Sequence, residues 1–473
     1  MRRTESRQLS QAGPRRVRTG TTRRIWQLAW PAILTNLLQS TVGLVGVGIV
    51  GRRLGPDAVA ATGIGNRIFF FQQVVLMAVT AGTTALVARA WGAGERGEAE
   101  RVTRTSLWLS LALAVLLAVP SVLFADALAG VFRLDAGTHA LTATFIRWIS
   151  LSTPFLAASF VIGTALRAAG DTLTPLGLGA LTMGVNVTAL YALVYGALGM
   201  PALGVKGAAI ASDVALAVGG LATVALWLRG RLLIGPGARG GDFDAMRVRR
   251  LLRIGTPAGL EQAAFQLGFT TFIWIVALYG NAANAAYQIG VQILSFSFLV
   301  GFGFSIAAST LVGQHLGADD PVGAERSGWR SMWLAIGVMV VFGTAIIVFA
   351  RPIAELLIDD AEVVRLAVVF IRLLGSVQAL MAVEFTLGGA LRGAGDTRFP
   401  LFVVLAGMVV MRLGTAVTLN ALGFGVEWIY AALIADYLVK GAMLVWRFRS
   451  GHWKTVLARA PAPPTAPIEP SEA

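Results

Sequence analysis

Three carboxylates interrupt long apolar stretches in the second half of the chain, namely Glu261, Glu384 and Asp436. A charge in the hydrocarbon of a bilayer costs at least about 2.5 kcal/mol, so ionisable residues inside membrane spans are candidates for function. Glu261 and Glu384 are expected at a similar depth, where two carboxylates can share a proton or hold a sodium ion. We therefore predict that the three carboxylates take part in moving a coupling ion. For Glu261 and Glu384, the alternative is that each is a helix-end charge paired with a neighbouring arginine.

Two further charges accompany Asp436 in the sequence. Lys440 follows it by four residues, a spacing at which two side chains of one helix can pair. Arg412 can join this group, and structural pairing is the favoured interpretation of both cations. For Asp213, in the first half, a role in the transport path and a role in packing both remain open.

Amide side chains form a second set of candidates, because an amide is a poor group to expose to lipid. We predict that they line a central cavity that a small organic molecule can enter. The predicted cavity residues are Asn36, Gln39, Gln72, Gln73, Asn186, Gln262, Gln266, Gln288 and Gln292.

The elements that must position these residues are apolar helices. The 473 residues are 56% hydrophobic and 14% charged, with a mean hydropathy of +0.71, well outside the range of soluble proteins. Stretches of about 20 apolar residues can cross a bilayer core of about 30 Å as helices. The predicted spans are 25–50, 58–88, 105–124, 138–164, 173–198, 205–228, 251–278, 283–312, 331–350, 363–390, 399–420 and 426–447. The predicted fold is an all-α membrane protein with twelve transmembrane helices.

The chain also repeats itself at a shift of 225 residues. The sequence ALRAAGDTLTP at 165–175 returns as ALRGAGDTRFP at 390–400. Six spans in each half make the two repeats parallel, related by a pseudo-two-fold axis along the membrane normal, an arrangement typical of transporters. The predicted organisation is an N-terminal segment 1–22, an N-lobe 23–228, a linker 229–250, a C-lobe 251–455 and a tail 456–473, with both ends disordered.

The formal charge of +14 does not indicate nucleic-acid binding. Most arginines and lysines fall in the termini, the linker and alternate short loops, and this bias predicts that both termini are cytoplasmic and that the protein lies in the plasma membrane. This excess of basic residues is expected to attract anionic lipid. The two Arg-x-x-Gly-Asp-Thr loops are predicted to be turns in which Asp and Thr cap the next helix, with Arg167 and Arg392 near helix C-terminal carbonyls.

Signatures of enzyme or ATP-driven chemistry are missing from the sequence. There is no phosphate-binding glycine loop, and the three histidines, His139, His315 and His452, lie outside or at the edges of the spans. The chain has no cysteine. We therefore expect neither an enzyme nor a cofactor, and no metal site beyond Glu261 and Glu384 if the coupling ion is sodium.

Several motifs then resemble one known family. They are WPAILTNLLQ at 30–39, VGRRLG at 50–55, LVARAWGAG at 86–94, FGFSIAASTLVGQ at 302–314 and both LRxxGDT sequences. Together they resemble the multidrug and toxic compound extrusion (MATE) family over roughly 23–455. The resemblance implies two six-helix lobes, a V-shaped cavity, and export of organic, often cationic compounds driven by protons or sodium ions.

This chain departs from the family pattern in the N-lobe. Much of the family carries an Asp where this chain has Gly46, and another Asp where it has Leu190, four residues after Asn186. At the repeat shift, Glu261 lies over Asn36, and Glu384 lies over Ser159. We therefore predict that the C-lobe is coupled to the ion and that the N-lobe mainly lines the substrate path.

The sequence favours a secondary active exporter, working as a monomer on a cationic or lipophilic organic substrate. A lipid-linked precursor flippase of a related two-lobe family is the first alternative, and it predicts a more strongly charged central cavity. An ion channel or receptor is the second alternative, and it leaves the repeat unexplained.

Overall fold

Helices make up the fold of the computed structural model, which describes residues 22–197, 199–237 and 244–457. We number the twelve long helices in chain order. They are α1 (Thr22–Leu54), α2 (Pro56–Gly92), α3 (Arg96–Leu123), α4 (Ala136–Ala169), α5 (Leu173–Tyr195), α6 (Gly204–Leu228), α7 (Ala245–Ala277), α8 (Asn281–Gly317), α9 (Pro321–Val348), α10 (Ala361–Ser376 with Gln378–Ala394), α11 (Arg398–Ala421) and α12 (Val426–Ser450).

The predicted fold class is confirmed. Ten of these helices are long and apolar enough to cross a membrane, and the two segments of α10, bent by 49° at Val377, make an eleventh. The remaining predicted span, 251–278, falls on α7 and ends one residue beyond it. That helix carries Glu261, Gln262 and Gln266, and it begins with several arginines. Its polarity sets it apart from the other spans.

The repeat predicted from sequence extends to the helix boundaries. Helices α2 and α8 begin and end 225 residues apart, and so do α3 and α9. Asp135 and Asp360 are repeat mates that cap α4 and α10 by accepting hydrogen bonds from backbone N–H groups three residues later. Two short helices, Ala125–Gly130 and Ala350–Leu357, are also mates, and they were not predicted.

Some domain boundaries differ from the predicted ones. Helix α7 begins at Ala245, inside the predicted linker 229–250, because Asp244 caps its first turn by accepting a hydrogen bond from the Met246 N–H. Helix α1 begins at Thr22. The predicted disorder of 1–22 and 456–473 otherwise falls on 1–21 and 458–473, outside the described residues.

Close backbone contacts join the lobes at one end of the molecule, which we call the basic face. Here α1 begins, and α2, α8 and α12 end. A Cβ at Gly92 would overlap the Gln314 carbonyl oxygen, and a Cβ at Gly317 would overlap the Arg89 carbonyl oxygen. These four residues are two pairs of repeat mates, so α2 and α8 cross through two equivalent glycine contacts. A side chain at either glycine would prevent this approach.

Candidate functional site

The predicted carboxylate Glu261 of α7 forms an ion pair with an arginine of α10. Arg392 Nη1 lies 2.6 Å from Glu261 Oε1, and Arg392 Nη2 donates a 3.4 Å hydrogen bond to Ser305 Oγ. The side chains of Glu261 and Arg392 are 14% and 24% exposed. The second carboxylate oxygen, Oε2, is buried and accepts no hydrogen bond from the described residues.

A chain of ion pairs connects the other two carboxylates. Lys440 Nζ lies 3.2 Å from Glu384 Oε1 and 3.1 Å from Asp436 Oδ1. Asp436 Oδ2 lies in turn 2.6 Å from Arg412 Nη2. Glu384 is 19% exposed, whereas Lys440, Asp436 and Arg412 are almost fully buried. The chain therefore runs from a partly accessible carboxylate to a charge in the protein interior.

A π-helical segment, Leu405–Leu413, makes room for these charges within α11. Such segments are rare and are frequently found at functional sites. A Cβ at Gly407 would overlap the Asp436 carboxylate, so the glycine lets α12 approach closely. The ring of Tyr437 lies 5.4 Å from the Arg412 guanidinium carbon and 5.2 Å from Lys440 Nζ, which adds cation–π stabilisation to both cations.

We call these six residues the C-lobe charge network: Glu261, Glu384, Arg392, Arg412, Asp436 and Lys440. Three carboxylates face three cations, so the network is neutral when all six side chains are charged. A buried side chain can stay ionised when an opposite charge lies next to it, and each carboxylate here has a cation within ion-pair distance. The predicted Asp436–Lys440 pairing and the participation of Arg412 are confirmed. Arg392 differs from the prediction, because it binds Glu261 rather than helix-end carbonyls.

The equivalent positions of the N-lobe hold no such network. Arg167, the repeat mate of Arg392, donates a 2.9 Å hydrogen bond to Thr164 Oγ1. The two positions that depart from the family pattern face each other, since a Cβ at Gly46 would lie 3.6 Å from Leu190 Cδ2. The buried Leu190 side chain thus fills the place where carboxylates are common.

Among the predicted cavity amides, Gln72 belongs to a buried hydrogen-bond network. Its Nε2 donates to Ser121 Oγ at 2.8 Å and to Ser150 Oγ at 3.3 Å, and its Oε1 accepts from Thr153 Oγ1 at 2.6 Å. The structure thus places this amide between helices of the N-lobe rather than at an open cavity. In the C-lobe, Gln378 donates to Ser297 Oγ at 2.8 Å. Positions 297 and 378 are the repeat mates of 72 and 153. An amide–hydroxyl hydrogen bond therefore joins the same two positions in both lobes, but the amide is on the other helix and is the donor in the C-lobe.

The other amides are more accessible. Asn186 Nδ2 donates to Ser212 Oγ at 3.3 Å. Asp213, next to Ser212, is half-buried beside Ser152. The half-buried amides are Asn36, Gln73, Asn186, Gln262 and Gln266, and the exposed ones are Gln39, Gln288 and Gln292.

Gln314 is an interlobe residue that was not among the predicted site residues, although it ends the motif at 302–314. Its Oε1 accepts a hydrogen bond from Arg24 Nη2 at 2.9 Å, and its Nε2 donates to the Ala168 carbonyl at 2.8 Å. Nearby, Thr310 Oγ1 donates to the Arg167 carbonyl. The signal that could have found Gln314 is its position over Arg89 in the repeat. These bonds complete the closure of the basic face.

A two-lobe helical bundle, with a pseudo-two-fold axis and a charged interior in one lobe, defines the class of polytopic membrane transporter. The profile of the family described as MatE matches residues 31–192 and 257–418, once in each lobe. The chain belongs to the MATE family. It is therefore a transporter and not an enzyme.

Relatives match nearly the whole chain. The probable multidrug resistance protein NorM of Thermotoga maritima is 29% identical over 441 residues, covering 92% of this chain and 94% of that protein. The multidrug resistance protein NorM of Burkholderia vietnamiensis is also 29% identical over 441 residues, covering 91% and 93%. A solved structure described as the outward-facing conformation of a multidrug resistance MATE family transporter has a TM-score of 0.84 and 20% identity, covering 90% of this chain and 96% of that one.

Proposed function

We propose that this protein is a secondary active exporter of organic, cationic or lipophilic compounds, and that a proton gradient drives it. Export is supported by the two NorM relatives, which are described as multidrug resistance proteins and align over more than nine tenths of the chain. In this proposal a monomer works in the plasma membrane with both termini in the cytoplasm, and it needs no cofactor besides the coupling ion.

The neutral C-lobe charge network supports the proton rather than sodium. A sodium ion needs oxygen ligands whose negative charge is not already neutralised by a cation. Here Lys440 Nζ lies within 3.2 Å of both Glu384 and Asp436 and neutralises part of their charge. A proton needs only one carboxylate oxygen. Glu261 Oε2 accepts no hydrogen bond from the described residues, so it can take a proton without displacing a partner.

Protonation then changes how the helices are held together. A neutral Glu261 loses its charge-assisted bond to Arg392 and so weakens the link between α7 and α10. The lobes have two conformations, and proton and substrate must each bind them with different affinity if they are to be coupled. The N-lobe, without carboxylates at its equivalent positions, supplies substrate contacts through Asn36, Gln39 and Asn186.

The test is efflux of an organic dye from vesicles under separate proton and sodium gradients. We expect the proton gradient alone to drive dye accumulation, and Glu261→Gln and Glu384→Gln each to slow it by about tenfold or more. Glu355→Gln, which removes an exposed carboxylate paired with Arg351 outside the network, is the matched control for altered charge. Undiminished coupled export in both glutamine variants, or export driven only by sodium, would overturn the proposal. Ionic current without accumulation would indicate a channel.

A further inference from the structure

A cavity of about 1750 Å³ opens at the basic face, between the two lobes. The N-lobe contributes the start of α1, the end of α2 and the start of α3. The C-lobe contributes the start of α7, the end of α8 and the turn between α10 and α11. Neither the charge network nor the predicted cavity amides take part in its lining, so it is separate from the site described above.

The lining of this cavity is rich in arginine. Seven arginines line it: Arg24, Arg89, Arg96, Arg247, Arg250, Arg253 and Arg398. Five of them, Arg24, Arg96, Arg250, Arg253 and Arg398, form no ion pair with a carboxylate of the described residues. Arg24 instead donates to Gln314, and Arg250 donates to the Met246 sulfur. These like charges come from five chain segments and outnumber the acidic residues of the lining, so the cavity carries a net positive charge.

Five acidic residues also line the cavity, two fewer than the arginines: Glu95, Glu98, Asp319, Asp320 and Asp396. Glu98 pairs with Arg247 at 3.0 Å, and Asp396 pairs with Arg447 at 2.7 Å. Asp320 accepts the Gly323 N–H at the start of α9 and lies 3.0 Å from His315 Nδ1. Arg247 Nη1, although buried, donates no hydrogen bond to the described residues. The cavity thus combines open cationic side chains with an unused buried donor.

We propose that this cavity binds a phosphate-bearing anion, either a lipid headgroup or a free phosphate compound, and that the bound anion bridges the two lobes. Arginine donates several hydrogen bonds in a planar fork that matches the geometry of phosphate oxygens. The bridging arginines come from both lobes, Arg24 and Arg96 from the N-lobe and Arg253 and Arg398 from the C-lobe. A ligand that contacts both sets binds best when the basic face is closed, and it therefore stabilises that conformation.

Binding is tested with the purified full-length protein in nanodiscs of phosphatidylcholine, titrated with inorganic phosphate. A second arm replaces part of the phosphatidylcholine with phosphatidylglycerol and measures the rise in melting temperature. The test variant is Arg253→Gln/Arg398→Gln. The matched control is Arg449→Gln, which removes an exposed arginine at the end of α12 that does not line the cavity.

We expect the double variant to weaken the phosphate affinity, or the lipid-dependent stabilisation, by about tenfold or more, since it removes two charge-assisted donors. Arg449→Gln should change neither. An effect only in the phosphate arm identifies a free anion, and an effect only in the lipid arm identifies a headgroup. No binding in either arm, or equal losses in the double variant and the control, overturns the proposal.

The bridging role has its own readout. Because the chain has no cysteine, Arg229→Cys with Ser450→Cys places a single pair of spin labels on the basic face, at the ends of α6 and α12. The ligand found in the binding assay should shift the distance distribution towards the shorter, closed population, and the double variant should abolish the shift. An unchanged distribution would show that the anion does not bridge the lobes. Neither assay depends on transport, so the site is tested separately from proton coupling.

Discussion

The two lobes share a backbone plan and differ in what they bury. Helices α2 and α8 have boundaries 225 residues apart, and they cross through the equivalent glycines Gly92 and Gly317. Inside the N-lobe, the polar groups of Gln72, Ser121, Ser150 and Thr153 satisfy one another without any charge. Inside the C-lobe, six charged side chains form a neutral network.

This difference separates two requirements of a two-lobe transporter. The shared features are backbone contacts and caps, and these fix how the lobes fit together. The features that differ are the ionisable groups. If a single proton site drives the movement of both lobes, only one lobe needs such groups. A symmetric scaffold therefore supports an asymmetric chemistry.

The largest expected effect follows from removing a buried charge in one lobe only. Asp436→Asn leaves Arg412 and Lys440 without their shared carboxylate, and unpairing a buried charge costs about 3–5 kcal/mol of unfolding free energy. Asp213→Asn, near the equivalent N-lobe position, should cost less than about 1 kcal/mol, because no cation pairs with Asp213 in the described residues. Denaturant titration in detergent micelles measures both. Equal losses would contradict the assignment of the charge network to one lobe.

A smaller effect, equal in both lobes, is expected at the glycine crossing. Gly92→Ala and Gly317→Ala each force a methyl group against a carbonyl oxygen, and such overpacking costs about 1–3 kcal/mol. The control is Gly97→Ala, where a Cβ would meet nothing within 4 Å. The same titration should show matching losses for the first two variants and none for the control. Clearly unequal losses would show that the crossing is not symmetric in energy.

Lys440→Met tests whether the internal cation excludes sodium. Without Nζ, the negative charge of Glu384 and Asp436 is no longer neutralised by Lys440. We therefore expect sodium to bind at least about tenfold more tightly, which corresponds to a change of about 1.4 kcal/mol in binding free energy. The measurement is tryptophan fluorescence during sodium titration at constant ionic strength. Lys454→Met is the matched control, because Lys454 pairs with Glu325 outside the network. A sodium response in the wild type as strong as in Lys440→Met would contradict the argument.

The smallest effect is expected at the exchanged amides. Gln72→Leu and Gln378→Leu should each lower the unfolding free energy by about 1 kcal/mol, the usual net contribution of a side-chain hydrogen bond. The loss at Gln72 stays this small because Ser121 and Thr153 also donate to backbone carbonyls. Gln73→Leu, at a half-buried position, should change it by less than about 0.5 kcal/mol. If Gln72→Leu instead leaves stability intact and alters the substrate concentration for half-maximal export, Gln72 lines the cavity as the sequence predicts.

Much of this fold follows from the sequence, because hydropathy and the repeat each constrain it independently. The spans and the six-plus-six arrangement depend on long apolar runs, which only helices can accommodate in lipid. The Asp436–Lys440 pair was also predictable, since a four-residue spacing places both side chains on one face of a single helix.

Contacts between distant helices were not predictable in the same way. Arg392 lies near the end of α10 in sequence, which suggested carbonyl partners, yet the packing of α7 against α10 brings it to Glu261. For Gln72, helical periodicity does not distinguish a face that lines a cavity from a face that packs on another helix. The π-helical segment of α11 leaves no mark in hydropathy, and the position of Arg412 depends on it.

The crossing of α2 and α8 also determines how far the other end of each helix moves when the helix turns. A helix of 37 residues such as α2 is about 55 Å long, so turning it by about 10° around a contact near one end carries the other end through about 10 Å. The glycines at the basic face hold backbone against backbone, with no side chain between them to yield. They form a rigid pivot, so a displacement of an ångström or two beside it becomes a movement of about 10 Å at the far end.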